Sequence, residues 1–67
     1  MSFTLKYKDL NEKREIPKEN YTIKDLLNEL ELSAQTMVSK HNGELVIEDT
    51  IIRDGDEIQL VQIIYGG

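Results

Sequence analysis

One helical stripe stands alone in this chain, and it restricts the fold more than any other feature. Ile23, Leu26, Leu27 and Leu30 recur at i, i+3, i+4 and i+7, with Lys24, Asp25, Asn28 and Glu29 on the opposite side, the spacing of a helix that buries one face. Thr22 supplies a start signal as N-cap to the Asp25 backbone N–H. Asp25 at N3 reaches back less well than Glu would, and Tyr21 before the cap faces Leu26 as a hydrophobic staple. The pattern predicts a helix that begins at residue 22 or 23 and ends near Leu32.

Strand patterns lie on both sides of it. Phe3, Leu5 and Tyr7 alternate with Thr4, Lys6 and Lys8, the period-two signature of a strand with one buried face. Lys8-Asp9-Leu10-Asn11 supplies turn formers. Arg14-Glu15-Ile16 then reads as a short second strand, stopped by Pro17, which has no N–H for a ladder. Downstream, Thr36 to Lys40 and Glu44 to Ile47 flank His41-Asn42-Gly43, where Asn-Gly signals a reversing turn. Asp54-Gly55-Asp56 makes another turn, and Glu57 to Ile64 is the most β-rich stretch. The expected order is ββαβββ, or ββαββ if the Leu45 strand is only a bridge. A chain of 67 residues is too short for two layers of helices. The expectation is therefore an α+β roll, a mixed four- to five-stranded sheet packed on one main helix, filling residues 1–67 as a single domain with 65–67 a flexible C-terminal tail.

Composition narrows the function classes. Eight Lys and Arg against thirteen Asp and Glu give a net charge of −5, which opposes the phosphate backbone that dominates nucleic-acid affinity. The charge is uneven, +2 over residues 1–24 and −7 over residues 25–67; the acidic half is read mainly as solvated surface, with a basic partner as the alternative. The chain has no cysteine, so disulfides, thiolate metal sites and a Cys nucleophile are excluded, and a cytoplasmic setting is expected. No apolar run approaches a membrane span, and the strand-like Met1-Ser2-Phe3 start predicts an end that is not processed.

No self-contained active site is legible. His41, the only imidazole, sits beside Asn42-Gly43 and reads as an exposed turn residue rather than a metal ligand or a general base. Asp54 and Asp56 flank a glycine and read as a turn in which Asp54 bonds its own backbone, not as a catalytic pair. Asp49 to Asp54 lacks the ligand spacing of a calcium loop. Neither G-x-G-x-x-G nor a phosphate-binding G-x-x-x-x-G-K-[ST] occurs, and Ser33, Thr36, Ser39 and Thr50 lack both a nucleophile-elbow glycine pattern and any base other than His41.

The end of the chain is the remaining feature. Gly66-Gly67 has no side chains, so a terminal carboxylate beyond a strand can enter a channel too narrow for a Cβ. In the last strand Ile58 and Leu60 point into the buried face, which puts Gln59, Val61, Ile63 and Tyr65 in the outer phase. Val61 and Ile63 then form a partner-binding stripe directly upstream of the glycines, with a core strand bulged near Gln62 and Ile63 as the alternative.

Asp54-Gly55-Asp56-Glu57-Ile58-Gln59-Leu60, continued by Val61-Gln62-Ile63-Ile64 and ending in Gly66-Gly67, resembles the ubiquitin-like sulfur carriers, closest to the thiamine-biosynthesis type and next to the small subunit of molybdopterin synthase. The resemblance implies a β-grasp fold and a carrier that is not an enzyme. It implies that a ubiquitin-activating-like enzyme adenylates the Gly67 carboxylate with ATP, followed by conversion to a thiocarboxylate, with Gly66 and Tyr65 as the tail. The implied partners are that activating enzyme, a sulfur donor such as a cysteine desulfurase, and a sulfur-acceptor synthase, with no nucleic acid and no membrane. No cofactor is expected on the carrier itself. Tyr65 stands where thiamine-type carriers usually have a small residue, and this bulk equally suits a tRNA-thiolation carrier or a ubiquitin-like protein modifier.

Overall fold

The computed structural model describes residues 1–63. Strand β1 (Ser2–Tyr7) buries Phe3 and Leu5 and turns Thr4 and Lys6 outward. It pairs antiparallel with β2 (Leu10–Glu15), from Ser2 opposite Glu15 to Tyr7 opposite Leu10. The β2 strand is longer than the Arg14–Ile16 segment expected. Its Asn11-Glu12-Lys13-Arg14-Glu15 run has no apolar alternation because it is a sheet edge: the backbone ladder sets its register, and its charges discourage pairing with another chain. Ile16 lies just past the strand, where its N–H donates to the Met1 carbonyl at 2.8 Å.

Helix α1 (Ile23–Glu29) starts where the sequence predicts. Thr22 Oγ1 accepts from the Asp25 N–H at 3.2 Å, and the Thr22 N–H donates to Asp25 Oδ2 at 3.1 Å, so Asp does complete the capping box. Backbone N–H groups in the first turn of a helix have no partner inside it. Here a neighbouring segment provides them, since the Ile23 and Lys24 N–H groups donate to the Thr50 and Glu48 carbonyls at 3.1 and 2.8 Å. The helix ends earlier than the expected Leu32. Glu31 takes a left-handed φ of 59°, while the Leu32 N–H bonds the Leu27 carbonyl and the Glu31 N–H bonds the Asn28 carbonyl. This is the glycine-type stop described by Schellman geometry, made with a glutamate in the glycine position.

Strands β3 (Met37–His41) and β4 (Glu44–Val46) form a hairpin. Asn42 and Gly43 turn it with φ of 52° and 90°, the pair of positive values that a two-residue hairpin turn of matching twist requires. Strand β5 (Glu57–Gln62) lies between β1, to which it is parallel, and β3, to which it is antiparallel. The five-stranded order is β2-β1-β5-β3-β4. The Leu45 segment is thus a true strand, and the ββαβββ order holds. The strand predicted to run to Ile64 stops at Gln62; Ile64 lies outside the described residues.

The core is the seam between α1 and one face of the sheet. Phe3, Leu5, Met37, Ile58 and Leu60 meet Ile23, Leu26 and Leu27, with Tyr21 and Ile52 closing the flank. Each such side chain contributes about 1.5–3 kcal/mol by leaving water. Tyr21 and Leu26, the two ends of the predicted staple, are both buried there. The Tyr21 hydroxyl donates to Glu29 Oε2 at 2.7 Å, and burial followed by that bond to Glu29 pushes its pKa well above the ordinary tyrosine range. Among the described residues no helix is long and apolar enough to cross a membrane.

Candidate functional site

The two ends of β5 are built differently. At its start, β5 is fastened to both neighbours and to the turns beside them. Asp56 Oδ2 lies 2.6 Å from His41 Nε2 and accepts from the Arg53 N–H at 2.8 Å, and Oδ1 accepts from Asn42 Nδ2 at 3.4 Å. Burial alone would raise the Asp56 pKa, but the bonds from His41, the Arg53 backbone and Asn42 outweigh it and hold the carboxyl below its ordinary value. An ionised carboxylate only accepts, so Nε2 of His41 carries the proton in this pair. Asn42 also grips β5 itself: its Oδ1 accepts from the Glu57 N–H at 2.9 Å, and its own N–H donates to the Glu57 carbonyl at 2.8 Å.

Two expectations are corrected here. His41 is not an exposed turn residue; it closes β3, with 26% of its side chain accessible against 14% for Asp56. Asp54 does not bond its own backbone but accepts from the Ser2 N–H at 2.9 Å, so it too ties the turn to β1. Gly55 has the positive φ expected of that turn, 83°.

At the far end the sheet tapers. Pairing of β5 with β1 stops at Leu60 opposite Tyr7, because β1 turns away at Lys8. Beyond Leu60, among the described residues, only β3 holds the strand, through Val61 opposite Val38 and Gln62 opposite Met37, and then by the Ile63 N–H donating to the Thr36 carbonyl at 2.8 Å. Val61 is 40% exposed and Ile63 half-buried. Tyr65, Gly66 and Gly67 lie outside the described residues. The outer face around Val61 includes Val38 directly across from it, then the rung where Lys40 faces both Gln59 and Leu45. Lys6 forms an ion pair with Glu57 at 3.1 Å on that face. Sequence reading picked Val61 but not Val38, although the alternation of β3 places Val38 in the outward phase. Among the described residues no group of His, Cys, Asp or Glu is arranged to hold a metal ion. What this end offers is a small apolar patch, Val38 beside Val61, on the strand that precedes Gly66-Gly67 in the sequence.

The family model that matches this sequence spans residues 3–67 and so includes both terminal glycines. The chain belongs to the ThiS family. Its members are sulfur carriers rather than enzymes, and they work with an activating enzyme that acts on them. Two solved structures share the fold over 100% of this chain and 100% of their own: SAMP1 from Haloferax volcanii, 21% identical with a TM-score of 0.72, and the thiamine biosynthesis protein ThiS from Geobacter metallireducens, 20% identical with a TM-score of 0.73. The five-stranded sheet on one helix is their β-grasp architecture.

Proposed function

We propose that this ThiS-family carrier delivers sulfur from a thiocarboxylate built on Gly67. A carboxylate is a poor electrophile. When a Gly67 oxygen attacks the α-phosphorus of ATP in the activating enzyme, pyrophosphate leaves and the resulting acyl-adenylate has a good leaving group. Sulfide, or a sulfur equivalent from a donor such as a cysteine desulfurase followed by thiol reduction, then displaces AMP and leaves a thiocarboxylate. That sulfur is nucleophilic and is handed to an acceptor synthase, the thiazole-forming step of thiamine synthesis first and molybdopterin synthesis next. Catalysis and ATP belong to the partners, the carrier binds no cofactor, and the setting is cytoplasmic. The outer face at Val61 and Ile63 receives the activating enzyme, while Tyr65 and Gly66 lead the carboxylate into its active site.

The observation that carries this reading is the family match through residue 67, which takes in Gly66-Gly67. The test is ATP–pyrophosphate exchange with the activating enzyme. Exchange should depend on this chain, and it should vanish when Gly67 is deleted or one residue is appended. Exchange that persists with the extended chain, in the absence of any trimming protease, would refute it. The bulk of Tyr65 equally suits a second reading, a tRNA-thiolation carrier or a protein modifier using the same activated carboxylate. The modifier branch is separated by its product, a lysine isopeptide that survives reducing conditions.

A further inference from the structure

A second surface lies off the outer face of β5, where the β3–β4 hairpin opens. The ladder between the two strands ends at Ser39 opposite Val46. The chain leaves β4 there because the Glu48 and Thr50 carbonyls are committed to the start of α1. In β3 the Thr36 carbonyl is bonded toward β5 by Ile63. Successive residues of an antiparallel strand direct their backbone groups to opposite sides. Met37 therefore presents its N–H and carbonyl to the side where β4 has already departed. The opening is a wedge floored by Leu27 of the helix and walled by Met37 and Val38 on one side and Val46 and Ile47 on the other. Leu45 and Ile47, at its lip, are 69% and 71% exposed.

The charge that lines the wedge is acidic. Among the described residues Glu48 is the only charged one lining it; Glu44 and Asp49 lie on the same stretch, Lys40 stands across from the lip residue Leu45, and residues 25–67 carry nine acids against Lys40 and Arg53. A second copy of this chain, itself at −5, is a poor match for such a rim.

We propose that this wedge docks an extended peptide segment of a partner protein, apolar on one face and flanked by Lys or Arg. The segment adds to the free edge of β3 at Met37, lays its apolar side chains against Val38 and Ile47, and brings a cation to Glu48. Adding a strand to an open edge uses main-chain bonds for affinity and alternate side chains for selectivity. The inference does not depend on activation of Gly67.

The probe is the synthetic peptide Lys-Val-Thr-Val-Thr-Lys, titrated into the full-length protein with backbone amide shifts as readout. Saturable shifts should centre on Met37, Val38, Ile47 and Glu48. The counterpart with Glu at both ends should bind at least about tenfold more weakly, as should the Lys peptide toward Ile47→Asp. Glu48→Lys should reverse the preference between the two peptides. Methylating the peptide's central backbone nitrogens should also weaken binding, since it removes the edge bond. Thermal melting of each variant confirms that it is folded. Shifts confined to the β2 edge, equal binding of the two peptides, or binding indifferent to N-methylation would overturn the proposal. Concentration-dependent shifts at the same amides without peptide would overturn it in favour of self-association.

Discussion

The start and the end of β5 belong to one six-residue strand, yet they carry opposite kinds of interaction. At Asp56 and Glu57 the chain is gripped by side chains and backbone from β1, β3 and two turns. At Val61 and Gln62 it has one neighbour and an accessible surface. Polar fastening is thus concentrated at the end of the strand farther in sequence from Gly66-Gly67, whereas the outer face at the nearer end is more accessible. If the Val61 end receives the activating enzyme as proposed, the partner seizes it without competing against the polar contacts at Asp56 and Glu57.

The largest effect that sharpens the contrast comes from one strand and two adjacent residues. Leu60→Ala, in the core, should cost about 2–5 kcal/mol in chemical denaturation. Val61→Asp should change stability by only about 0.5 kcal/mol, while weakening binding to the activating enzyme by about 2 kcal/mol or more. If Val61→Asp unfolds the domain as severely as Leu60→Ala, Val61 is core and the open-end description is wrong.

The clamp at the other end is next in size. Asp56→Ala leaves His41 Nε2, Asn42 Nδ2 and the Arg53 N–H without their acceptor and should cost about 1–3 kcal/mol, with adenylation of Gly67 unchanged once temperature is set below the variant's melting point. The effect has a pH signature. Asp25 is lowered chiefly by the bond from the Thr22 N–H, and Asp56 by the bonds that outweigh its burial. A carboxylate whose folded pKa lies below its unfolded value adds stability that is complete above the unfolded value and lost as pH falls through the folded one. The two carboxylates should therefore contribute fully above their ordinary 3.8 and fade below it. The stability gap between wild type and Asp56→Ala, measured by urea titration at several pH values, should close in that acid window and stay constant above it.

Smaller effects test the helix that backs both ends. Thr22→Ala removes the side chain that caps Asp25 and should cost about 1 kcal/mol. Glu31→Gly should do the opposite and raise the melting temperature, because a left-handed φ costs a residue with a Cβ about 1–2 kcal/mol that glycine avoids.

These last two positions show how far the sequence is legible. The start of α1 could be read because capping is local: Thr22 and Asp25 are three residues apart and satisfy each other. Its end could not, because Glu31 takes the role that Gly ordinarily advertises, and what holds it there is the packing of Leu32 against the core. The inner faces of β1 and β5 were visible as alternation, whereas β2 was underread because an edge strand needs no buried stripe. His41 and Asp56 are fifteen residues apart, and no local pattern joins them; only the pairing of β3 with β5 brings the imidazole to the carboxylate. The Glu48–Ile52 segment, patternless in the sequence, supplies the carbonyls that start the helix. At the far end of β5 the outward phase of Val61 was legible, and Val38 required the β3–β5 register.

The most direct measurement is the intact mass of the protein isolated from its own cell, with fragmentation to locate any change. The expected result is a population in which one oxygen of the Gly67 carboxylate is replaced by sulfur, lost on treatment with a thiol-alkylating reagent and absent when the activating enzyme is deleted. A pool carrying only an ordinary carboxylate at Gly67, in cells actively making the sulfur-containing product, would contradict the carrier mechanism.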